Sequence, residues 1–348
     1  MTRRPAAPRT RPAAALVLAA GLAAALPVGP AAAQLRAFEF RLDNDTFVTP
    51  RRDDERWYTS GEFLRFAFDA PRDAPRDAAD ARLAAAWCAR VVACDPDART
   101  LRVASLSHRI HTPAFTGTQA PQPFDRPYAA ALGLGLAWVV AGERSRQTLE
   151  LQLGSVGPGA LGEPVQNAIH AMLGQPRVQG WAWQLRPQPL VQLGWSRLTV
   201  HRLGVPGVDA VLRTGALIGT PQTPAELGAM LRFGAGGVEP TWPGETIGAR
   251  EQDGWRVFAG VEGRAVARDT QIDGAAFGYA SQVAREPFAG SAFVGASFGP
   301  IRDWRLELSW AVHAVPFSSP VGTYPFPPHR GGTIGLPFPS TEIVIRDD

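Results

Sequence analysis

Residues Ala131 to Val140 read Ala-Leu-Gly-Leu-Gly-Leu-Ala-Trp-Val-Val, and their alternation decides the fold. In an extended chain successive side chains point to opposite faces. Leu132, Leu134, Leu136, Trp138 and Val140 therefore share one face, and Ala131, Gly133, Gly135 and Ala137 share the other. A large apolar face toward lipid and a small-residue face toward a lumen is the pattern of a transmembrane β-strand. Leu149, Leu151 and Leu153 alternate likewise with Glu150, Gln152 and Gly154. The surrounding apolar run, residues 129 to 142, is about fourteen residues long, whereas a spanning helix needs roughly twenty.

Working outward, similar segments fall at 37–44, 57–69, 100–111, 127–141, 147–155, 188–202, 208–219, 224–234, 254–268, 287–299, 304–317 and 330–338, separated by Gly, Pro, Asp and Arg clusters. That makes twelve, and a single-chain bacterial barrel closes on an even number. The expected fold is all-β: an antiparallel transmembrane β-barrel over residues 34–338, with Phe338 as its terminal aromatic and 339–348 as a tail. A soluble β-sandwich also alternates and is the competing architecture.

The N-terminus fits export. Arg3, Arg4, Arg9 and Arg11 precede an apolar stretch from Ala13 to Val28, and Ala31-Ala32-Ala33 precede Gln34, the order of a secretory signal over residues 1–33. Without its four arginines the chain carries 31 basic against 32 acidic residues, which gives no electrostatic case for nucleic acid. Every one of those basic residues is arginine, which excludes lysine nucleophiles, Schiff bases and Ser-Lys dyads. The only cysteines, Cys88 and Cys94, lie in an Ala-rich insert and suit a small loop disulfide in an oxidising compartment better than a metal pair.

One stretch breaks the alternation. Gly162 to Gly174 carries Pro164 near its start and Gly174 just past its end, the punctuation of a short helix. Glu163, Gln166, Asn167 and His170 fall on one face, and Val165, Ile169 and Met172 on another. Loops after odd strands of an up-and-down barrel share one end. With the N-terminus in the periplasm, the loops after strands one, three and five face outward together. The first holds Leu42-Asp43-Asn44-Asp45-Thr46-Phe47 and leads to Tyr58-Thr59-Ser60-Gly61. The next holds His111-Thr112-Pro113 and Asp125-Arg126-Pro127-Tyr128, and the last Val156-Gly157-Pro158 and the helix.

Taken in order with Gly180-Trp181-Ala182-Trp183-Gln184-Leu185, these motifs resemble the lipid A 3'-O-deacylase family, over most of the chain and most densely from 38 to 190. The resemblance implies a twelve-stranded outer-membrane barrel, a calcium-dependent site near the outer leaflet, and hydrolysis of the 3'-acyloxyacyl ester of lipid A within lipopolysaccharide. It places the family's Asn-Asp pair on Asn44 and Asp45, its Thr on Thr59, and its Gln and His on Gln166 and His170.

Each assignment has a chemical reason and a bland alternative. An imidazole titrates near neutral pH and can take a proton from attacking water, so His170 is the candidate general base, although a lone helical histidine is usually structural. Asp45 is a hard oxygen ligand of the kind calcium uses, although Asn-Asp alone is ordinary turn chemistry. Asn44 can donate to an oxyanion, Gln166 can orient His170 or the water, and Thr59 can hold the site through its hydroxyl. Asp43 and Glu163 read as exposed loop carboxylates outside the site. Asp125 and Arg126 read as an ion pair inside the lumen, with recognition of a lipid phosphate by the arginine as the alternative.

Two features depart from the family pattern. Phe115 to Gln119 carries no positive charge where some members have a basic residue, and the chain runs on past Phe338. The expected protein is a monomer surrounded by outer-membrane lipid. Two rival functions are a phospholipase-type esterase using Ser60, Ser105 or Ser107, and a non-catalytic pore.

Overall fold

The computed structural model describes residues 35–44, 58–69, 86, 88, 95, 98–235, 239–249, 254–274, 282–301, 304–314, 316–319 and 337–345. The expected signal at 1–33 and the metal ligand Asp45 lie outside these residues. Twelve antiparallel strands close into a barrel. They are β1 (Leu35–Asn44), β2 (Ser60–Asp69), β3 (Arg99–His111), β4 (Ala129–Ala141), β5 (Ser145–Val156), β6 (Gln188–Arg202), β7 (Val208–Gly219), β8 (Gln222–Gly234), β9 (Gly254–Asp269), β10 (Phe288–Ile301), β11 (Trp304–His313) and β12 (Pro337–Ile345). A two-stranded ribbon, Ala284–Arg285 with Phe317–Ser318, stands apart from the wall.

Alternation decides which side of the wall each residue takes. Along β4 the residues from Ala129 to Ala141 alternate buried and half-buried, with Leu132, Leu134, Leu136, Trp138 and Val140 on the outer side as expected. Leu151, Leu153, Leu193, Leu227, Leu231, Val261 and Val294 continue an exposed apolar belt around the barrel, the outer surface lipid requires. Among the described residues no helix is long and apolar enough to cross a membrane.

The last strand corrects the sequence reading. The closing strand is Pro337–Ile345, so residues 339–345 are wall and not tail, while residues 330–336 of the expected strand lie outside the described residues. Pro337 and Pro339, which lack an N–H, make Phe338 look like an end. The β-branched run that follows supplies the pairing instead, Phe38 with Ile345 on one side and Leu306 with Ile343 on the other.

The lumen is filled from the end where even-numbered strands turn. Residues 239–249, between β8 and β9, are buried almost throughout. Trp242 packs with Leu198, Val211, Met230, Phe258 and Phe293, and Ile247 with Ala67, Leu101 and Val139. Arginines from the wall hold the segment's polar groups. Arg213 meets Glu245 at 2.8 Å and the wall carboxylates Glu226 and Glu262 at 2.6 and 3.2 Å. Arg232 joins Asp209 at 2.6 Å and donates to the Glu239 carbonyl and the Thr241 hydroxyl, both at 2.9 Å. Arg146 donates to the Ile247 carbonyl at 2.7 Å.

Candidate active site

At the opposite end the C-terminal ends of β1, β3 and β5 lie together, as strand parity requires. β1, β2 and β3 lie side by side, with Asn44 opposite Ser60 and Ser60 opposite Ile110. Thr59 is buried: its N–H donates to the Ile110 carbonyl at 3.0 Å, and its hydroxyl lies 2.9 Å from that of Thr112. The Tyr-Thr-Ser-Gly and His-Thr-Pro motifs are thus joined through a threonine pair the sequence did not reveal.

The segment after β5 folds back on the outside of the wall. Gly157, at φ 93°, turns the chain, and a side chain there would meet the Leu185 carbonyl at 2.7 Å. The helix α1 (Gly162–Met172) begins after Leu161, itself held in the left-handed region at φ 60°. Gly162 lets the helix touch the barrel, since a Cβ would come within 2.5 Å of the Ala130 side chain and closer still to Trp181. Ile110, Tyr128, Ala130, Ala160, Val178 and Trp181 form one buried cluster, against which Leu132 and Val165 pack. The Tyr128 ring stacks on Trp181 at 5.2 Å.

This docking covers two polar side chains of α1 as well as packing Val165 on the wall cluster. Its buried positions are Gly162, Gln166 and His170, while Met172 is 85% and Leu173 56% exposed. A helix in water presents the reverse. Leu161, before the helix, and Trp183, after it, are also exposed. The sequence located the helix, but its two expected faces do not divide by burial: Gln166 and His170 are covered while Glu163 meets Arg177 at the surface, and Val165 packs on the wall while Met172 is exposed.

The helix ends in a Schellman turn: Gln175 N–H donates to the His170 carbonyl at 2.8 Å, and Gly174 N–H to the Ala171 carbonyl at 3.4 Å, with Gly174 at φ 66°. The same turn brings the Pro176 carbonyl to 2.7 Å from His170 Nδ1. A carbonyl can only accept, so Nδ1 carries the hydrogen and the lone pair of the neutral ring sits on Nε2. Gln166 is fixed by Trp181, whose indole N–H donates to Oε1 at 2.8 Å, and this turns the amide nitrogen to the other side. Pro176 and Trp181 carry no signal in the sequence beyond membership of the motifs.

The carboxylates left out of the site are engaged elsewhere. Asp43 accepts from Arg41 at 2.9 Å and from the Tyr58 hydroxyl at 3.1 Å. Burial, and then the Asp43 charge, push the Tyr58 hydroxyl well above the usual phenol range. Glu163 pairs with Arg177 on the surface at 3.1 Å. Asp125 caps a turn by accepting the N–H groups of Ala114 and Arg126. The Arg126 guanidinium reaches Gln271 across the mouth at 3.3 Å; burial pushes it down to about 10 against the charges of Asp269 and Asp125. Cys88 is disulfide-bonded, as expected.

The calcium expectation rests on Asp45, and among the described residues no three His, Cys, Asp or Glu side chains gather for a metal. The kind of donor nevertheless suits a hard cation, since Asp45 lies next to Asn44 and the strand end opposite carries the Thr59 and Ser60 hydroxyls. Two of the three serines of the serine-nucleophile rival have partners other than histidine among the described residues. Ser105 and Ser107 bond Glu150 and the Gly133 carbonyl. The histidine paired with a carboxylate, His108, has its other nitrogen on the Ala160 carbonyl.

A closed twelve-stranded barrel with a lipid-facing belt and a helix folded against its outer wall defines an outer-membrane β-barrel protein. The family description for Outer membrane protein LpxR matches residues 14–322, and the chain belongs to that family, the lipid A deacylases whose motifs it carries. Among solved structures it is similar to LpxR from Salmonella typhimurium, at 19% identity and a TM-score of 0.66, covering 89% of this chain and 100% of that one. A much looser match is the KdgM porin in complex with disordered oligogalacturonate, at 5% identity and a TM-score of 0.36, covering 90% and 99%. No curated protein matches the chain.

Proposed function

We propose that this chain hydrolyses the 3'-linked acyloxyacyl ester of lipid A at the outer leaflet, with His170 as general base. The observation that carries the reading is the burial of polar side chains in a helix docked on the outer wall: His170 and Gln166 are buried while Met172 and Leu173 are exposed. An ester within a lipid leaflet can reach such a site sideways, without leaving the membrane. His170 Nε2 takes a proton from water as its oxygen attacks the ester carbonyl. The same proton then passes to the departing sugar oxygen, releasing a fatty acid and a free 3'-hydroxyl, with no acyl-enzyme. Asn44 donates its amide to the oxyanion, Gln166 orients the water through its amide, and Thr59 holds the turn carrying Asn44. Calcium held by Asp45 would supply positive charge to the developing oxyanion.

The test is mass spectrometry of lipid A after incubation with wild type, His170→Ala, and wild type with a chelator. His170→Ala is expected to lose acyl release by at least about a hundredfold, the scale of a general base. Full activity in that variant would overturn the mechanism; full activity with chelator would remove calcium from it.

A further inference from the structure

His108 and Glu62 stand apart from the proposed chemistry, on the outer side of the wall beneath the turn that leads into α1. They are register partners on β3 and β2. His108 Nδ1 lies 3.2 Å from Glu62 Oε2, and its Nε2 lies 2.7 Å from the Ala160 carbonyl oxygen. On the β4 side its register partner is the apolar Leu132. Both side chains are largely covered, at 12% and 25% exposure.

The hydrogen count decides what this arrangement is. The Ala160 carbonyl can only accept, so Nε2 must carry a hydrogen. An ionised carboxylate can also only accept, so Nδ1 needs a second hydrogen, or the carboxyl must supply it. Without that second proton, a ring lone pair would face a carboxylate lone pair in a covered site, a costly arrangement. The contact is satisfied only when the pair holds one proton between Nδ1 and Oε2, which makes it a charge-assisted bond of the stronger kind.

We propose that the Glu62–His108 pair is a proton-holding clamp and His108 a positioning residue: it fastens the Ala160 carbonyl, and so the N-terminal end of α1, to the barrel wall. Two attachments then fix the helix entry, this one and the Gly157 N–H to the Ala130 carbonyl at 2.8 Å. Immediately after Ala160 lies the left-handed Leu161, a backbone conformation that depends on the surrounding turn being held. Gln166 and His170 follow one and two turns down the same helix, so a shift at Ala160 is carried to both. The clamp's catalytic consequence rests on the deacylase reading; its existence does not.

The experiment uses the whole chain in lipid nanodiscs, with amide hydrogen exchange followed by mass spectrometry. In Glu62→Leu and His108→Phe, exchange of residues 158–170 should rise by about tenfold or more, while β7 and β8 stay protected as the internal check on folding. Glu62→Gln should stay within about twofold of wild type, because the amide can donate to Nδ1 of a neutral ring. Nitrogen NMR of labelled histidine should show both His108 nitrogens hydrogen-bonded in wild type, with Nδ1 losing that signature in Glu62→Leu. Unchanged exchange in the Leu and Phe variants, equal loosening in Glu62→Gln and Glu62→Leu, or an Nδ1 without a hydrogen bond in wild type would each overturn the clamp. Acyl release measured on the same samples keeps the two proposals apart. A wild type without activity sinks the deacylase reading and leaves the exchange result to judge the clamp.

Discussion

The two ends of the barrel bury polar groups in opposite ways. At the end where even strands turn, residues 239–249 go inside the lumen and their polar atoms meet arginines, as Glu245 meets Arg213 and Thr241 meets Arg232. At the other end α1 lies outside the wall and covers two polar side chains, Gln166 and His170, which meet the Trp181 indole N–H and the Pro176 carbonyl. The first arrangement satisfies charge with charge and leaves the wall and plug locked together. The second gives the imidazole a carbonyl partner at Nδ1, which sets the tautomer its neutral form takes and so suits it to proton transfer. Burial alone does not mark a functional site; the kind of partner separates the two.

The largest effect that would test this contrast lies in the plug. Arg213→Ala removes the ion pair of Glu245 and leaves Glu226 and Glu262 to Arg264, and breaking a buried charge network costs about 3–5 kcal/mol. Urea unfolding from micelles should show that loss, and a variant within about 0.5 kcal/mol of wild type would mean the ion pairs are idle. At the rim, Trp181→Phe keeps most of the ring volume but removes the donor to Gln166 Oε1. An unsatisfied buried acceptor costs about 1–3 kcal/mol, so acyl release should fall by roughly tenfold with folding intact; unchanged release would free Gln166 from its role.

A smaller effect probes the exposed side of α1. A nitroxide label on Met172→Cys in nanodiscs should be relaxed more by oxygen than by a water-soluble nickel chelate, because Met172 faces away from the wall toward the lipid a barrel belt requires. Preference for the nickel chelate would place the helix in water. The smallest effect concerns Tyr58. Its hydroxyl is raised above the ordinary value of 10.0, so the folded state holds that proton more tightly than the unfolded one. The associated stability is complete below about pH 10 and falls as pH rises through the folded value. Tyr58→Phe should flatten that alkaline loss in a denaturant titration, and an identical slope in both proteins would refute it.

By itself, the sequence determined the strand count, the lipid-facing side of β4, the helix at 162–172 and the gathering of three motif turns at one end. Those features follow from periods of two and 3.6 residues and from strand parity, which are local or topological. Tertiary structure alone decided the rest. The closing strand moved to Pro337–Ile345 because pairing with β1 and β11, not local aromatic content, fixes where a barrel shuts. The plug was invisible because its polar groups find partners that are distant in the chain, Glu239 meeting Arg99 and Thr246 meeting Glu39. His170 was legible as a residue type in a motif. Its tautomer, its covered position and its neighbour's tether to Trp181 depend on a helix end and a wall contact that periodicity does not encode.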